Sequence, residues 1–128
     1  MNKRYVSLSI ALIAGLGLGM IAVQELRAQS KGPAYVIAEL EISNMKGYRE
    51  EFVPLLQTTL KNHGGRFIAA AKPEPMIGDA PKTLAAIIAF DSMEKAKGWF
   101  TSEEYQAAGK VRDKYAKLIS YAVQGNGN

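Results

Sequence analysis

The chain has 128 residues, no cysteine and a formal net charge of +4 at pH 7. Without cysteine it can form no disulfide, thiolate zinc site, iron–sulfur cluster or covalent c-type haem, and its single histidine excludes a multi-histidine metal centre within one chain. Its length suits one domain, and we expect it to bind neither a metal nor a cofactor.

The first 28 residues have the pattern of a secretory signal peptide. Lys3 and Arg4 precede an uncharged run, residues 6–23, that is followed by a polar stretch, which is the order of a signal's three regions. We therefore predict export to the periplasm or beyond, with cleavage near Ala28. The alternative is an uncleaved anchor in the cytoplasmic membrane, because this run approaches the roughly 20 residues that a spanning helix needs.

Removal of residues 1–28 leaves 13 basic and 11 acidic residues, a net charge of +2. This nearly neutral domain has no cluster of lysine or arginine with interleaved aromatic residues. We therefore expect no nucleic-acid partner, and we expect membrane contact only through an uncleaved N-terminal segment.

The rest of the chain, residues 29–124, is predicted to form one domain that begins with a strand and a helix. Strict alternation of apolar residues predicts a strand over Ala34–Ile42. Helical spacing follows, with Ser43 or Asn44 as the cap and Gly64-Gly65 as the end. Pro54 lies inside this pattern and predicts a bent helix or two short ones, since proline cannot donate the helical hydrogen bond.

Three further strands and two short helices complete the predicted domain. The segments "RFIAAA" from Arg66 and "TLAAIIAF" from Thr83 to Phe90 predict strands, the second of them central because its apolar run is nearly continuous. Two short helices are predicted after Ser92 and Ser102. A last strand is predicted over Lys117–Val123, and residues 125–128 are predicted to be a disordered tail.

The predicted order β-α-β-β-α-β is that of the ferredoxin-like α+β fold, with a four-stranded antiparallel sheet and both helices on one face. The other face would expose Tyr35, Ile37, Ile87 and Tyr121. A contiguous apolar face of that size usually marks an interface. We therefore predict a homodimer that packs sheet against sheet as a dimeric α/β barrel around a central space.

Several segments together resemble the domain-of-unknown-function family 1330. They are "AYVIAELEI", Tyr48, "GGRF" at 64–67, "FDSMEKAKGWFTSEEYQ" at 90–106 and Arg112. The resemblance covers almost the whole mature chain and implies a dimeric α/β barrel. Relatives with this barrel include cofactor-independent monooxygenases, haem-degrading proteins and isomerases of small ring compounds, so the resemblance implies small-molecule handling without choosing among them. The chain departs from the family at Ile77-Gly78, where a Glu-Gly is usual.

The candidate site residues lie mainly on the predicted open face. If Arg66, Ile68 and Ala70 face the barrel interior, the Arg66 guanidinium could pair with a ligand carboxylate or with Glu39. Tyr35 and Tyr121 could orient a polar ligand group. These residues make the predicted ligand-binding set Tyr35, Glu39, Arg66 and Tyr121.

The catalytic candidates overlap with this set. They are Arg66, Glu39 and His63, and the alternative for His63 is a solvated residue at a helix end. Trp99 and Phe100 are predicted to be core residues, although Trp99 and Tyr105 could also line an aromatic pocket. Arg112 is predicted to be a surface residue or to pair with Glu103 or Asp113.

Three functional hypotheses follow. The first is an exported dimer that binds a small, partly apolar molecule beside the sheet. The second is a cofactor-independent enzyme of monooxygenase or isomerase type, with Arg66 as electrostatic stabiliser and His63 or Glu39 as proton acceptor. The third is a non-catalytic structural dimer whose interior is filled by side chains.

Overall fold

The computed structural model describes residues 32–127. The predicted signal peptide or anchor and the last residue of the predicted tail, Asn128, lie outside this range. Within it, no helix is both long and apolar enough to cross a membrane. At the start of the predicted tail, the Gly125 N–H donates to the Pro33 carbonyl at 2.7 Å.

The described residues form four strands and three helical regions. The strands are β1 Ala34–Ile42, β2 Arg66–Ala71, β3 Leu84–Phe90 and β4 Ala116–Gln124. The first helical region consists of α1 Met45–Gly47, a π-helical turn Tyr48–Phe52 and α2 Val53–His63; the other two are α3 Met93–Thr101 and α4 Glu103–Arg112. The predicted order of elements is therefore confirmed.

The strands form one antiparallel sheet in the order β2-β3-β1-β4. This is the ferredoxin-like topology, with β3 and β1 in the centre. Alternate residues of the central strands, such as Val36, Leu40 and Ile88, are buried against Phe52 and Leu56 of the first helical region. The helices therefore cover one face of the sheet, as predicted.

The helix boundaries follow local rules of capping. Asn44 caps the first helical region, because its side-chain oxygen accepts from the Gly47 N–H at 2.9 Å. Ser92 and Ser102 cap α3 and α4 in the same way. The first region ends at Gly64, whose φ of 76° lies in the left-handed region that glycine adopts without strain.

The interruption predicted at Pro54 takes the form of a π-helical turn. The Val53 N–H donates to the Tyr48 carbonyl five residues earlier, and Pro54 lies in the first turn of α2. A proline is tolerated there because the first N–H groups of a helix have no partner within it. The chain thus forms two helical segments with a wider turn between them.

Strand β2 contains a β-bulge that the sequence pattern did not indicate. Arg66 pairs with Ala89, whereas Ala70 pairs with Ala86, and the register shifts between Phe67 and Ala69. Because a bulge adds one residue, it reverses which residues face the helices. Arg66 and Ala70 were predicted to share a face, and they lie on opposite faces of the sheet.

Candidate functional site

A cavity of about 520 Å³ lies between the sheet and the helices. It is on the helix-covered side of the sheet, not on the open face where the sequence placed a ligand. Apolar side chains make up most of its wall. Its lining consists of Val36, Ala38, Leu40, Met45, Tyr48, Arg49, Phe52, Val53, Leu56, Phe67, Ala70, Leu84, Ala86, Ile88, Trp99, Tyr105, Arg112, Leu118 and Ser120. We refer to it as the sheet–helix cavity.

A row of small residues forms the floor of this cavity. Ala70 pairs with Ala86, Ala86 with Ala38, and Ala38 with Ser120, so the row crosses all four strands. All four residues line the cavity. Larger side chains at these positions would fill the space under the helices, and the small ones leave it open.

The π-helical turn forms part of the opposite wall. Three of its five residues, Tyr48, Arg49 and Phe52, line the cavity. The rings of Tyr48 and Phe52 lie 5.2 Å apart, and both residues are buried. Turns of this kind often occur where a helix contributes to a functional site.

Trp99 and Tyr105 form an aromatic pair at the wall made by α3 and α4. Their ring centroids are 4.1 Å apart. The Trp99 indole N–H donates to the Thr59 hydroxyl at 2.9 Å, so its polar atom has a partner in the fold. The prediction that Trp99 packs between helix and sheet agrees with this burial, and its ring also lines the cavity.

Arg112 brings a charge into this wall. Its side chain is only 13% exposed. Its Nη1 group donates to the Tyr105 hydroxyl at 2.9 Å, and its Nε donates to Asp113 at 3.1 Å. Its Cζ lies 5.8 Å from the ring centroids of both Phe52 and Tyr105. The predicted pairing with Asp113 is found, but Arg112 is not a surface residue.

The two tyrosines beside Arg112 keep their protons. Burial raises the pKa of Tyr105 above its ordinary value, and the charge and hydrogen bond of Arg112 only partly oppose this. Burial likewise raises the pKa of Tyr48, against the opposing charge of Arg112. Both side chains are therefore neutral hydroxyl groups at pH 7.

The predicted open-face residues form contacts outside this cavity. The Tyr121 hydroxyl donates to Glu39 at 2.7 Å, and this hydrogen bond raises the pKa of Tyr121. The Arg66 Nη1 atom lies 3.5 Å from Asp91 Oδ1. Arg66 therefore pairs with Asp91 and not with Glu39, which was one of its two predicted partners. Tyr35 occupies the same face, opposite Val123. A ligand site of these four residues between two sheets stays a prediction.

His63 lies at the end of α2, in the last turn of the helix. Its Nε2 is 3.6 Å from Glu104. It does not line the sheet–helix cavity. This position fits the alternative in which His63 is a helix-end residue, and its catalytic role stays a prediction.

The sequence did not single out Arg112 and Tyr48 as site residues. A signal for Arg112 was available, because Tyr105, Ala108, Gly109 and Arg112 are spaced i, i+3, i+4 and i+7 and therefore share one face of α4. The first three are buried. An arginine on that stripe is expected to be drawn into the core region with its own hydrogen-bond partners.

No group of three or more metal-ligating side chains occurs among residues 32–127. The polar groups that line the sheet–helix cavity are tyrosine and serine hydroxyls and arginine guanidinium groups. All of these can donate hydrogen bonds to a ligand.

Residues 33–126 match the family described as Domain of unknown function (DUF1330). No curated protein matches the chain. Among solved structures, a protein of unknown function from Rhodopseudomonas palustris superposes with a TM-score of 0.63 at 12% identity, over 84% of this chain and 94% of that one.

Two more distant structures share the fold. A protein of unknown function from Bacteroides thetaiotaomicron, described as a candidate oxidoreductase, gives a TM-score of 0.55 at 8% identity, over 75% of this chain and all (100%) of that one. A candidate antibiotic biosynthesis monooxygenase from Caulobacter crescentus gives a TM-score of 0.53 at 14% identity, over 75% of this chain and 92% of that one. These likenesses establish the ferredoxin-like fold and no activity.

Proposed function

The chain belongs to the family Domain of unknown function (DUF1330), whose description assigns no activity, and we propose from its geometry that it binds a small, largely apolar molecule in the sheet–helix cavity. The observation that carries this proposal is the cavity itself. At about 520 Å³ it falls within the range of small-molecule sites, and its lining combines an apolar wall with a few polar groups.

The row of small residues on the cavity floor supports this proposal. A protein with a purely structural role would gain stability from filling the space over Ala38 and Ala86, since each buried methylene contributes about 0.8 kcal/mol. The chain instead keeps small side chains there. We therefore favour ligand binding over the hypothesis of a filled, inert interior.

A neutral fluorescent probe, N-phenyl-1-naphthylamine, tests the proposal. We expect saturable binding at one probe per chain. The substitution Ala70→Phe places a ring at the edge-strand end of the cavity floor and should weaken binding by about tenfold, or 1.4 kcal/mol. The matched control is Ala71→Phe, because Ala71 pairs with Ala85 and lies on the other face of the same strand.

The results separate a cavity site from surface adsorption. Equal affinities in the two variants, or binding that does not saturate, would contradict the proposal. Native mass spectrometry of the purified chain adds a direct readout of any ligand that copurifies. Product formation from such a ligand would extend the proposal to catalysis, the second hypothesis raised by the sequence.

We also propose that two copies of the chain associate through the open face of the sheet. Ile87, Ile119, Tyr121 and Val123 are exposed on it in the single chain. The same face carries acidic Glu39 and Glu41 as well as basic Arg66 and Lys117. A two-fold axis between two copies can place the acidic residues of one copy opposite the basic residues of the other. Such a surface is complementary to itself in charge.

Export is a further part of the proposal. It is supported by Lys3, Arg4 and the apolar run over residues 6–23. Cell fractionation and the intact mass of the full-length chain expressed in a bacterium test it. A mature protein that begins near residue 29 outside the cytoplasm is expected; an unprocessed chain in the soluble cytoplasmic fraction would overturn it.

A further inference from the structure

The charged side chains that line the sheet–helix cavity are all positive. Its lining contains the largely buried Arg112 and the exposed Arg49, and none of the lining residues is acidic. Asp113 binds the Nε of Arg112 from outside the lining, but its side chain is 65% exposed and water screens its charge. The cavity wall therefore favours a ligand that carries a negative charge.

The guanidinium of Arg112 has N–H groups without a hydrogen-bond partner in the described part of the chain. Nε and Nη1 each have one partner in the protein, Asp113 and Tyr105, whereas Nη2 has no hydrogen-bond acceptor among residues 32–127. Gly109 leaves the room for this group, because a Cβ at that position would lie 3.1 Å from Nη2. The flat fork of arginine matches the two oxygens of a carboxylate.

Two hydroxyl groups stand beside this fork. Tyr105 accepts a hydrogen bond from Arg112 and still has its own proton to donate. Tyr48 is only 6% exposed, and its hydroxyl has no hydrogen-bond partner in the described part of the chain. A buried polar group without a partner is costly, so a ligand that accepts hydrogen bonds would relieve that cost.

From these contacts we propose that the ligand is an apolar molecule with one carboxylate, which binds Arg112, Tyr48 and Tyr105 while its apolar part occupies the alanine-lined floor. The inference rests on the proposed function and specifies its ligand class. Every polar group at this end donates, and a carboxylate is an acceptor only, so it satisfies them together.

Three competitors with the same naphthalene ring test the proposal by displacing N-phenyl-1-naphthylamine at neutral pH. They are 2-naphthoate, which is charged, and the neutral 2-naphthamide and 2-naphthol. In the wild-type chain we expect 2-naphthoate to bind about tenfold more tightly than either neutral compound. Equal displacement by naphthoate and naphthamide would overturn the inference, as would a preference for naphthol, which would indicate a phenol site.

Variants assign the preference to Arg112. Arg112→Gln should abolish the preference for naphthoate over naphthamide, with both compounds measured in that variant, and Arg112→Lys should keep part of the preference because the charge remains without the fork. Lys110→Gln is the control, since it makes the same charge change on the same helix outside the cavity lining. A preference that survives Arg112→Gln would overturn the assignment.

The outcome for the neutral probe separates this inference from the proposed function. If the wild-type chain binds the probe and lacks a preference for 2-naphthoate, the proposed function stands and only the inference that the ligand carries a carboxylate is wrong. If the probe does not bind at all, the proposed function fails and the inference fails with it. Thermal unfolding of each variant confirms that it is folded before its binding is compared.

Discussion

Two neutral tyrosine hydroxyls and a guanidinium share one buried corner of the molecule. Arg112 donates to Tyr105, and its charge also acts on Tyr48. Removing a proton from either tyrosine would place a phenolate in a buried environment, which burial disfavours. The corner is therefore more stable while both hydroxyls keep their protons.

This burial predicts how stability changes in alkali. In the unfolded chain a tyrosine loses its proton near its ordinary pKa of 10.0, whereas the folded pKa of Tyr105 is higher. The stability that the neutral side chain contributes is thus complete below about pH 10 and is lost as the pH rises toward the folded pKa. We expect the free energy of unfolding in urea to fall as the pH rises from about 10 toward the higher folded pKa of Tyr105.

The Tyr105→Phe variant isolates the contribution of Tyr105 to this loss of stability in alkali. Its free energy of unfolding should fall less steeply over the same pH range, because phenylalanine has no proton to lose. Its stability at neutral pH is expected to be lower, since Arg112 loses an acceptor, so the comparison uses the slope of the free energy of unfolding against pH. An unchanged slope would contradict the attribution to Tyr105.

Single residues were the hardest part of the site to predict. In the sequence, Tyr48 and Arg112 counted toward the family resemblance, and Arg112 was predicted to be a surface residue or to pair with Glu103 or Asp113, as long cationic side chains often do. Arg66 and Glu39 stood out because they lie on strands, yet Arg66 contacts Asp91 and Glu39 contacts Tyr121. Which charged groups meet depends on tertiary packing.

At the scale of elements, local patterns predicted most boundaries. The limits of β1 were predicted to the residue because its alternation is strict, and β4 extends one residue beyond the prediction at each end. The π-helical turn and the bulge in β2 were not predicted. Both depend on contacts with other elements, and both alter the cavity, since they set the positions of Tyr48 and Ala70.

Two glycine-to-alanine substitutions in helical elements should have opposite effects. Gly64 ends α2 with φ of 76°, a conformation that strains alanine, so Gly64→Ala should destabilise the fold by about 1 kcal/mol. Gly98 lies within α3, and a Cβ there would meet no atom within 4 Å. Gly98→Ala should therefore stabilise the fold by about 0.5–1 kcal/mol.

Urea unfolding of both variants at pH 7 provides the comparison. The two substitutions are chemically identical, so they share the same change in side chain and in unfolded-state entropy. A stabilised Gly64→Ala protein would show that the helix does not end in the left-handed conformation. A destabilised Gly98→Ala protein would show that α3 packs against something at that position.

At the scale of the whole molecule, the sheet has two different faces with two different predicted partners. One face and the helices line the sheet–helix cavity, and no helix covers the other face within the described residues. The ferredoxin-like order of elements predicted the open face directly, because both helices follow strands on the same side. The cavity could not be predicted that way, because it depends on small residues from four strands lying in one row.

The open face predicts a dimer in solution. Ile119 is 66% exposed there in the single chain, so Ile119→Lys should disturb the interface without disturbing the core. Light scattering of the mature domain is expected to give the mass of two chains for the wild type and of one chain for the variant. Met76→Lys, in an exposed loop, is the control and should remain dimeric. A monomeric wild type at micromolar concentration would contradict the proposed dimer.

Trp99 offers the most direct test of the central claim, that the sheet–helix cavity holds a small apolar molecule. It is the only tryptophan of the chain, it is 2% exposed, and its ring lines the cavity. A bromine atom quenches tryptophan emission only at contact distance, so 1-bromohexane reports whether a ligand reaches that wall. We predict quenching that saturates at one molecule per chain in the wild type and in Ala71→Phe, and that is weakened in Ala70→Phe. Emission that does not change while 1-bromohexane binds, or quenching that rises without saturation in all three proteins, would contradict the account.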